Sequence, residues 1–252
     1  MIDLSGKVTL VTGGSRGIGA AVVRTLAGAG GDVVLHYGRS HERAVALADE
    51  VGRERCHLVR ADLEDQACVP ALWRDAVAWK GRVDVLVNNA GIYVAAGVDA
   101  DFETWAATWA RTLGVNLVAA AHLCREAVRH FRERGGGAIV NVASRAAFRG
   151  DAPDYTHYAA SKAGMVALTR TIARGFGADN IVAFVVAPGF VRTERVERRM
   201  RDHGEDSVLD EIPLGDMASP EDVANVVAFL ASGLARHATG ATIDVNGASY
   251  VR

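Results

Sequence analysis

The chain has 252 residues, half of them apolar, which is enough for one large domain with a sizeable core. With 28 Lys and Arg against 30 Asp and Glu, the formal net charge is −2, and nothing in that balance favours a nucleic-acid or membrane-surface partner. No apolar run reaches membrane-spanning length, residues 1–7 lack the layout of a secretory signal, and Cys56, Cys68 and Cys124 fit no metal spacing, so the expectation is a cytoplasmic protein with reduced thiols and no metal.

From the N-terminus, short apolar runs alternate with longer stretches of helical periodicity. Residues 7–12 make the first strand candidate and 17–29 the helix after it; 32–37 and 41–51 repeat the pair. Runs at 56–60, 83–87, 138–143, 181–186 and 241–245 continue the strands. They are apolar nearly throughout, as strands are when helices cover both faces of a parallel sheet. A long helix is predicted over 101–134, carrying Trp105, Trp109, Leu113, Leu117 and Leu123. Another is predicted over 158–176, where Ala159, Ala160, Ala163, Gly164 and Ala167 suit close packing on the sheet or against a second subunit. Gly135-Gly136-Gly137 reads as a turn that ends a helix before a strand. No linker, repeat or low-complexity tract divides the chain. The predicted fold class is α/β, a doubly wound parallel sheet in a single Rossmann-type domain over 1–252.

The first strand runs into Thr12-Gly13-Gly14-Ser15-Arg16-Gly17-Ile18-Gly19. A glycine turn between strand and helix lets the backbone approach a pyrophosphate, and the helix start supplies amide donors and a positive dipole end. The spacing is Gly-x-x-x-Gly-x-Gly, not the general dinucleotide fingerprint, and glycines also serve ordinary turns; the position before a helix favours the dinucleotide reading. After the second strand, residues 35–40 contain no acid to receive ribose hydroxyls. Arg39, with Arg16 in the loop, could instead pair with a 2′-phosphate, which puts NADP(H) ahead of NAD(H); solvated surface charges are the plainer alternative.

Tyr158 and Lys162 stand four apart on a predicted helix and so share a face. A phenol is a poor base near neutral pH, but an adjacent ammonium favours the phenolate. Tyr158 could then exchange a proton with a carbonyl or alcohol oxygen. Alone, the pair equally describes a solvated helix face. Ser144 follows an apolar strand near the sheet's carboxyl edge, where its hydroxyl could donate to a substrate oxygen or make a local turn. Asn116 lies in the long helix among Leu113, Val115 and Leu117, which suggests partial burial. Tyr155 has Ala159 four residues on, not a lysine, and is read as lining the pocket mouth or packing. His157 is read as pointing off the active face.

This ordered set resembles the short-chain dehydrogenase/reductase family over essentially the whole chain. The resemblance rests on the glycine loop, Asp62, Asn88-Asn89-Ala90-Gly91, Asn116, Ser144, Tyr158-x-x-x-Lys162, Pro188-Gly189 and Thr193. The ending Ile243-Asp244-Val245-Asn246-Gly247 resembles the 3-oxoacyl carrier-protein reductase branch. What the resemblance implies is an NAD(P)-dependent oxidoreductase moving a hydride between a nicotinamide cofactor and a carbonyl or secondary alcohol. Tyr158 and Lys162 would handle the proton, Ser144 would meet the substrate oxygen, and Asn116 would hold a water leading to the lysine. Cofactor contacts would come from Gly13, Ser15, Arg16, Gly17, Ile18, Gly19, Arg39, Asp62, Leu63, Asn89, Ala90 and Gly91, from Tyr158 and Lys162, and from Pro188, Gly189, Val191 and Thr193. Ser144 precedes Tyr158 by 14 residues, one more than is common in the family, which places an extra residue in 149–154. Candidate substrates are a 3-oxoacyl thioester, or a sugar or small alcohol; a non-catalytic nucleotide-binding regulator is the rival of another class.

From Pro188 to Met217 the alternation lapses, and a substrate lid is expected at about 190–215. Its arginines, Arg192, Arg195, Arg198, Arg199 and Arg201, fit a solvated helix stitched by pairs such as Glu194–Arg198 and Glu197–Arg201, with one or two left to face an anionic substrate. Arg125, Arg129, Arg132 and Arg134 suit the end of a helix dipole, with docking of an acidic acyl carrier protein ranked second. A homotetramer through the two long helices is the expected assembly.

Overall fold

The strand β1 (Val8–Val11) reads Val-Thr-Leu-Val and is buried at every position, as a strand covered on both faces must be. The computed structural model describes residues 2–204 and 206–252, without the side chains at 195, 199, 202, 203, 206 and 207. Around β1 lie β2 (Asp32–Tyr37), β3 (Cys56–Arg60), β4 (Val85–Asn88), β5 (Gly137–Val142), β6 (Ile181–Pro188) and β7 (Thr242–Val245). They form a seven-stranded sheet in the order β3-β2-β1-β4-β5-β6-β7, parallel throughout. The order reverses between β1 and β4. A crevice therefore opens at the carboxyl ends of those two strands, where open α/β sheets place their ligands.

The helices are α1 (Gly17–Gly28), α2 (His41–Val51), α3 (Val69–Lys80), α4 (Phe102–Leu113), α5 (Ala119–Arg134), α6 (Ala146–Arg149), α7 (Thr156–Gly175), α8 (Glu194–His203), α9 (Asp206–Leu209) and α10 (Pro220–Ser232). Strand periodicity sends neighbouring side chains to opposite faces. Val11, Val33, Leu35, Val87 and Val140 face one core with Val22, Val23 and Leu26 of α1 and Val223, Val227 and Leu230 of α10. Leu10, Val34, Leu86 and Ile139 face the other, with Leu72 and Trp73 of α3 and Leu123 and Phe131 of α5. Each such side chain, fully buried, contributes about 1.5–3 kcal/mol.

The predicted bounds differ in places. β4 starts at Val85, two residues late, and the Val83 amide donates to His130 Nε2 at 3.3 Å. β6 runs on to Pro188, because its last residues pair with β7. The predicted helix over 101–134 is α4 and α5 joined by a π turn at Gly114–Val118. Two covering helices, α3 and α10, were not among the predicted elements. Their signals are in the sequence: Pro70 and the spacing of Val69, Leu72, Trp73 and Ala76 in one, and in the other a capping box between Ser219 and Asp222 with Pro220 at the start. Residues 190–217 carry α8 and α9 over a small core of their own, Val196, Met200, Val208, Ile212 and Met217.

Candidate active site

The glycine loop sits at the carboxyl end of β1, and its shape is held from three sides. Gly13 and Gly17 have φ of +64° and +53°, which favours glycine at both positions. A Cβ at Gly19 would stand 2.2 Å from the Gly13 carbonyl oxygen, so the helix can start this close to the loop only without a side chain there. Asn89 donates from Nδ2 to the carbonyls of Thr12 (2.9 Å) and Gly13 (3.1 Å), while Thr12 Oγ1 accepts from the amides of Asn89 and Ala90 at 3.0 Å each. The turn after β4 thereby braces the loop after β1. Arg16 caps α1 without a side-chain hydrogen bond, leaving the first amides of a 12-residue helix as donors. Ser15 is half-buried, and Ile18 packs on the core beneath α1.

Arg39 stands exposed after β2, its guanidinium 3.5 Å from Glu64. Glu64 is held more closely by Arg111, at 2.6 Å. Asp32 lies at the far end of β2 and pairs with Lys80, so it has no place at the loop. Asp62 is exposed and accepts from the Glu64 amide at 3.1 Å. Leu63 is buried in the core, so any contact it makes with a ligand would come from its main chain. On the far side of the crevice, Gly189 lies tight on Asn246, where a Cβ would come within 2.8 Å of the Asn246 Cβ. The Val191 side chain is also in the core. Thr193 Cγ2 lies 3.4 Å from where a Cβ on Gly17 would be, which brings the start of the 190–217 segment against the glycine loop.

Lys162 reaches in from α7 with its side chain buried, and Nζ donates to the Val142 carbonyl at 2.9 Å. Gly91 is the meeting point: a Cβ there would lie 3.6 Å from Lys162 Nζ and 3.4 Å from Asn116 Oδ1. Asn116 is fully buried in the π turn, not partly buried on a regular helix face. Its Oδ1 accepts from the Ile92 amide (2.8 Å), and its Nδ2 donates to the Ile92 carbonyl (3.0 Å) and to Ser161 Oγ (3.2 Å). Ser161 in turn donates to the Tyr158 carbonyl at 2.7 Å. One amide thus ties the loop after β4 to the turn of α7 that bears Tyr158. Lys162 Nζ lies 5.8 Å from the Tyr158 ring centroid. Ser144, two residues past β5, accepts the Ala146 amide on Oγ at 3.1 Å, and the next amide, Arg145, donates to the Pro188 carbonyl at 2.9 Å.

Below these groups, Asn88 Nδ2 donates to Asn141 Oδ1 and Asn141 Nδ2 to Thr169 Oγ1, both at 2.8 Å, linking β4, β5 and α7. Tyr155 packs as read: it stacks on Tyr93 with ring centroids 3.9 Å apart, and Tyr93 meets Tyr158 edge-on at 4.7 Å. His157 is buried and turned away, with Nε2 donating to the Val94 carbonyl at 2.8 Å. Burial pushes the Cys56 thiol up to about 11 and Cys124 up to about 12, so both stay protonated and pack. No group of His, Cys, Asp or Glu among the described residues could hold a metal ion. The sequence reading missed Tyr93, and it missed His36, whose signal was a lone histidine inside an apolar strand. It also missed the contact of Arg145 and Arg149 with Glu211, at 2.8 and 2.7 Å, which ties α6 to the segment after α9.

Residues 13–248 match a family model described as enoyl-(acyl carrier protein) reductase. The 3-oxoacyl-[acyl-carrier-protein] reductase FabG of Aquifex aeolicus is 35% identical, over 99% of both chains. A solved structure of a short chain dehydrogenase/reductase family protein is 37% identical, covers 98% of this chain and 99% of its own, and superposes with a TM-score of 0.85. A 7α-hydroxysteroid dehydrogenase, solved with NADH and 7-oxo glycochenodeoxycholic acid, is 30% identical with a TM-score of 0.90, covering 98% and 95% of the two chains.

Proposed function

Because the chain belongs to the short-chain dehydrogenase/reductase family and is an oxidoreductase of that family, we propose that it is an NADP(H)-dependent carbonyl reductase, reversible as a secondary-alcohol dehydrogenase, whose first candidate substrate is a 3-oxoacyl thioester. The observation that carries this reading is the convergence of Lys162 and Asn116 on Gly91, one helical turn from Tyr158 and beside the glycine loop.

The residues present fit a nicotinamide dinucleotide. Gly13 and Gly17 keep side chains out of the loop, the uncapped start of α1 offers amides to a pyrophosphate, and Thr193 stands against Gly17, where it can reach a carboxamide. Ser15, Ile18, Gly19, Asn89, Ala90, Gly91, Pro188, Gly189 and Val191 shape the walls, with Asp62 and the Leu63 main chain toward the adenine. When bound, the dinucleotide supplies the hydride in reduction and takes it in oxidation. Tyr158 gives its phenolic proton to the carbonyl oxygen as that oxygen becomes an alkoxide, and takes it back in the reverse direction. Ser144 Oγ donates to the same oxygen. The Lys162 ammonium stabilises the phenolate, and Asn116 holds the water through which the lysine region regains a proton.

NADP(H) is preferred to NAD(H) because Arg39 and Arg16 flank the site of the second ribose and no acid stands at the end of β2. A sugar or other small alcohol is the second substrate class, and the hydroxysteroid dehydrogenase solved with a 7-oxo steroid supports substrates other than acyl thioesters on this fold. Residues 190–215 act as a lid, Tyr158–Phe176 and Asp101–Arg134 build a homotetramer, and the protein works in the cytoplasm; among the described residues no helix is long and apolar enough to cross a membrane. Docking of an acyl carrier protein on the end of α5 ranks below a helix-end role, since Arg125 contacts Glu126 and Arg132 pairs with Asp179 at 2.8 Å. The test is turnover of NADPH and NADH by purified protein over a panel of 3-oxoacyl thioesters, ketones and sugars. Oxidation with none of them would favour the regulatory alternative.

A further inference from the structure

His36 is a buried titratable group that the proton chemistry at Tyr158 does not use. It sits in β2 opposite Val59 of β3, 3% exposed, where its neighbours in the strand are apolar. Both ring nitrogens are engaged. Nδ1 faces the Gly13 amide at 3.2 Å, and Nε2 faces the Ala61 carbonyl at 3.1 Å. A backbone N–H can only donate and a carbonyl can only accept, so this geometry demands the neutral ring with its proton on Nε2. The His36 carbonyl also accepts from the Gly14 amide at 2.9 Å. One residue therefore holds two successive amides of the glycine loop. Through Ala61 it also holds the residue just before Asp62 and Leu63, the turn assigned to the adenine.

We propose that His36 is the positioning residue for the cofactor's adenosine half, and that protonation of its ring releases the glycine loop and weakens dinucleotide binding. The inference rests on the reading of that loop as the cofactor site. A proton on Nδ1 would set two donors against each other and leave the Gly13 amide without an acceptor. The charged and titratable groups in the segments around the ring are Tyr37 beside it in β2, Arg16 in the loop, Arg39 and His41 after β2, His57 and Arg60 in β3, and Asp62, Glu64, Asp65 and Cys68 beyond it; β1 brings none at this end. Burial holds the ring below the ordinary histidine range, against the pull of the Ala61 carbonyl and the Asp62 carboxylate. The sign follows: the neutral, loop-holding form prevails near neutral pH and is lost as pH falls through the depressed value.

The test measures the NADPH dissociation constant of the full-length protein from pH 7.5 down to the lowest pH at which circular dichroism shows it folded, for wild type, His36→Asn and His36→Leu. The Asn carboxamide oxygen takes the place of Nδ1 and cannot be protonated in this range. His36→Asn should keep most of the affinity at pH 7.5, whereas His36→Leu should bind about tenfold more weakly, the scale of one buried amide left without an acceptor. On acidification wild type should lose affinity faster than His36→Asn, the gap opening as pH falls through the depressed histidine value. Protonation of the 2′-phosphate weakens binding to all three alike, so the ratio isolates the ring. Parallel pH curves for wild type and His36→Asn, or a His36→Leu constant equal to wild type, would overturn the proposal. Should His36→Leu not fold, 15N spectra of the wild-type ring decide: a proton on Nδ1 at pH 7.5 overturns it, and one on Nε2 supports it. No NADPH binding by wild type at any pH would sink the cofactor reading itself, whereas binding with a flat ratio sinks this inference alone.

Discussion

Tyr158 is one helical turn from a lysine side chain that the protein has taken out of water, and in the proposed mechanism that pairing gives the phenol its chemistry. Lys162 Nζ is anchored on the Val142 carbonyl, so its charge stays fixed relative to the ring instead of wandering into solvent. Tyr158→Phe keeps the ring and its edge-on contact with Tyr93 but removes the transferable proton. It should lower kcat by a factor on the order of 10²–10⁴ while leaving NADPH binding intact. Near-normal turnover would show that the proton comes from elsewhere. At the other end of the crevice, Arg39→Asp removes the proposed phosphate partner and supplies an acceptor for ribose hydroxyls. The ratio of kcat/KM for NADPH to that for NADH should fall, and a wild type that already favours NADH would refute the role of Arg39. Tyr158 and Lys162 stood out because their types and spacing repeat a family pattern, and Arg39 because residues 35–40 hold no acid. What the sequence did not show was how they are held. Asn116 in a π turn, bridging Ile92 and Ser161, is a matter of helix geometry that no local propensity encodes. His36 was passed over because a histidine in a buried strand has meaning only once its two hydrogen-bond partners are known.

At the scale of elements, strands were easier to read than the helices that cover them. Buried parallel strands are continuous apolar runs, and β2, β3 and α2 fall at the predicted bounds. The helix α3 was overlooked despite its periodic apolar face, since it follows a short 3-10 turn at Gln66–Cys68 with no glycine to mark a boundary. The segment after β6 was read as a departure from the pattern, and its helices α8 and α9 bear that out: they cover neither face of the sheet but close on five apolar residues of their own. In the arginine-rich helix, Arg198 acts on Glu194 as the predicted stitching has it, but the closer partner comes from outside the helix. Glu194 pairs with Arg43 of α2 at 2.7 Å, tying the segment to the helix that follows β2. Arg195 and Arg199 lie outside the described side chains. Exposed pairs of this kind contribute little each, about 0–1 kcal/mol. A five-residue cluster and a few such pairs hold far less than the two large cores beneath the sheet. Hydrogen exchange over 190–215 should therefore run well ahead of β1, β4 and β5 in the free protein and slow when NADPH and substrate bind together. Protection in the free protein equal to that of the sheet would mean a fixed wall, not a lid.

For the whole molecule, what the single chain leaves uncovered is as informative as what it buries. The sheet is flanked on one face by α1, α2 and α10, and on the other by α3, α5 and α7. Beyond that second layer, α7 turns Ala160, Ala163 and Ala167 to solvent, and α4 turns out Ala107 and Ala110. Alanines at spacings of three and four make a flat stripe along a helix, on which another helix can lie close. Beside the stripe, Trp105 and Trp109 lie tilted against each other with ring centroids 5.2 Å apart, Phe102 next to them is 79% exposed, and Trp109 Nε1 is buried with no hydrogen-bond partner. A monomer gains nothing from leaving large aromatic rings and a small-residue stripe side by side in water, whereas a second copy would bury both. The protein should thus run as four chains by light scattering at micromolar concentration. Ala167→Arg places a long cation at the C-terminal end of the α7 stripe, on a position exposed in the single chain. It should reduce the mass to that of a dimer or monomer while circular dichroism and the folded monomer's core remain unchanged. A wild-type mass of one chain would refute the assembly outright. A tetramer untouched by Ala167→Arg would move the interface off α7 and leave the exposed Phe102 ring of α4 and its partly buried tryptophans as its remaining support.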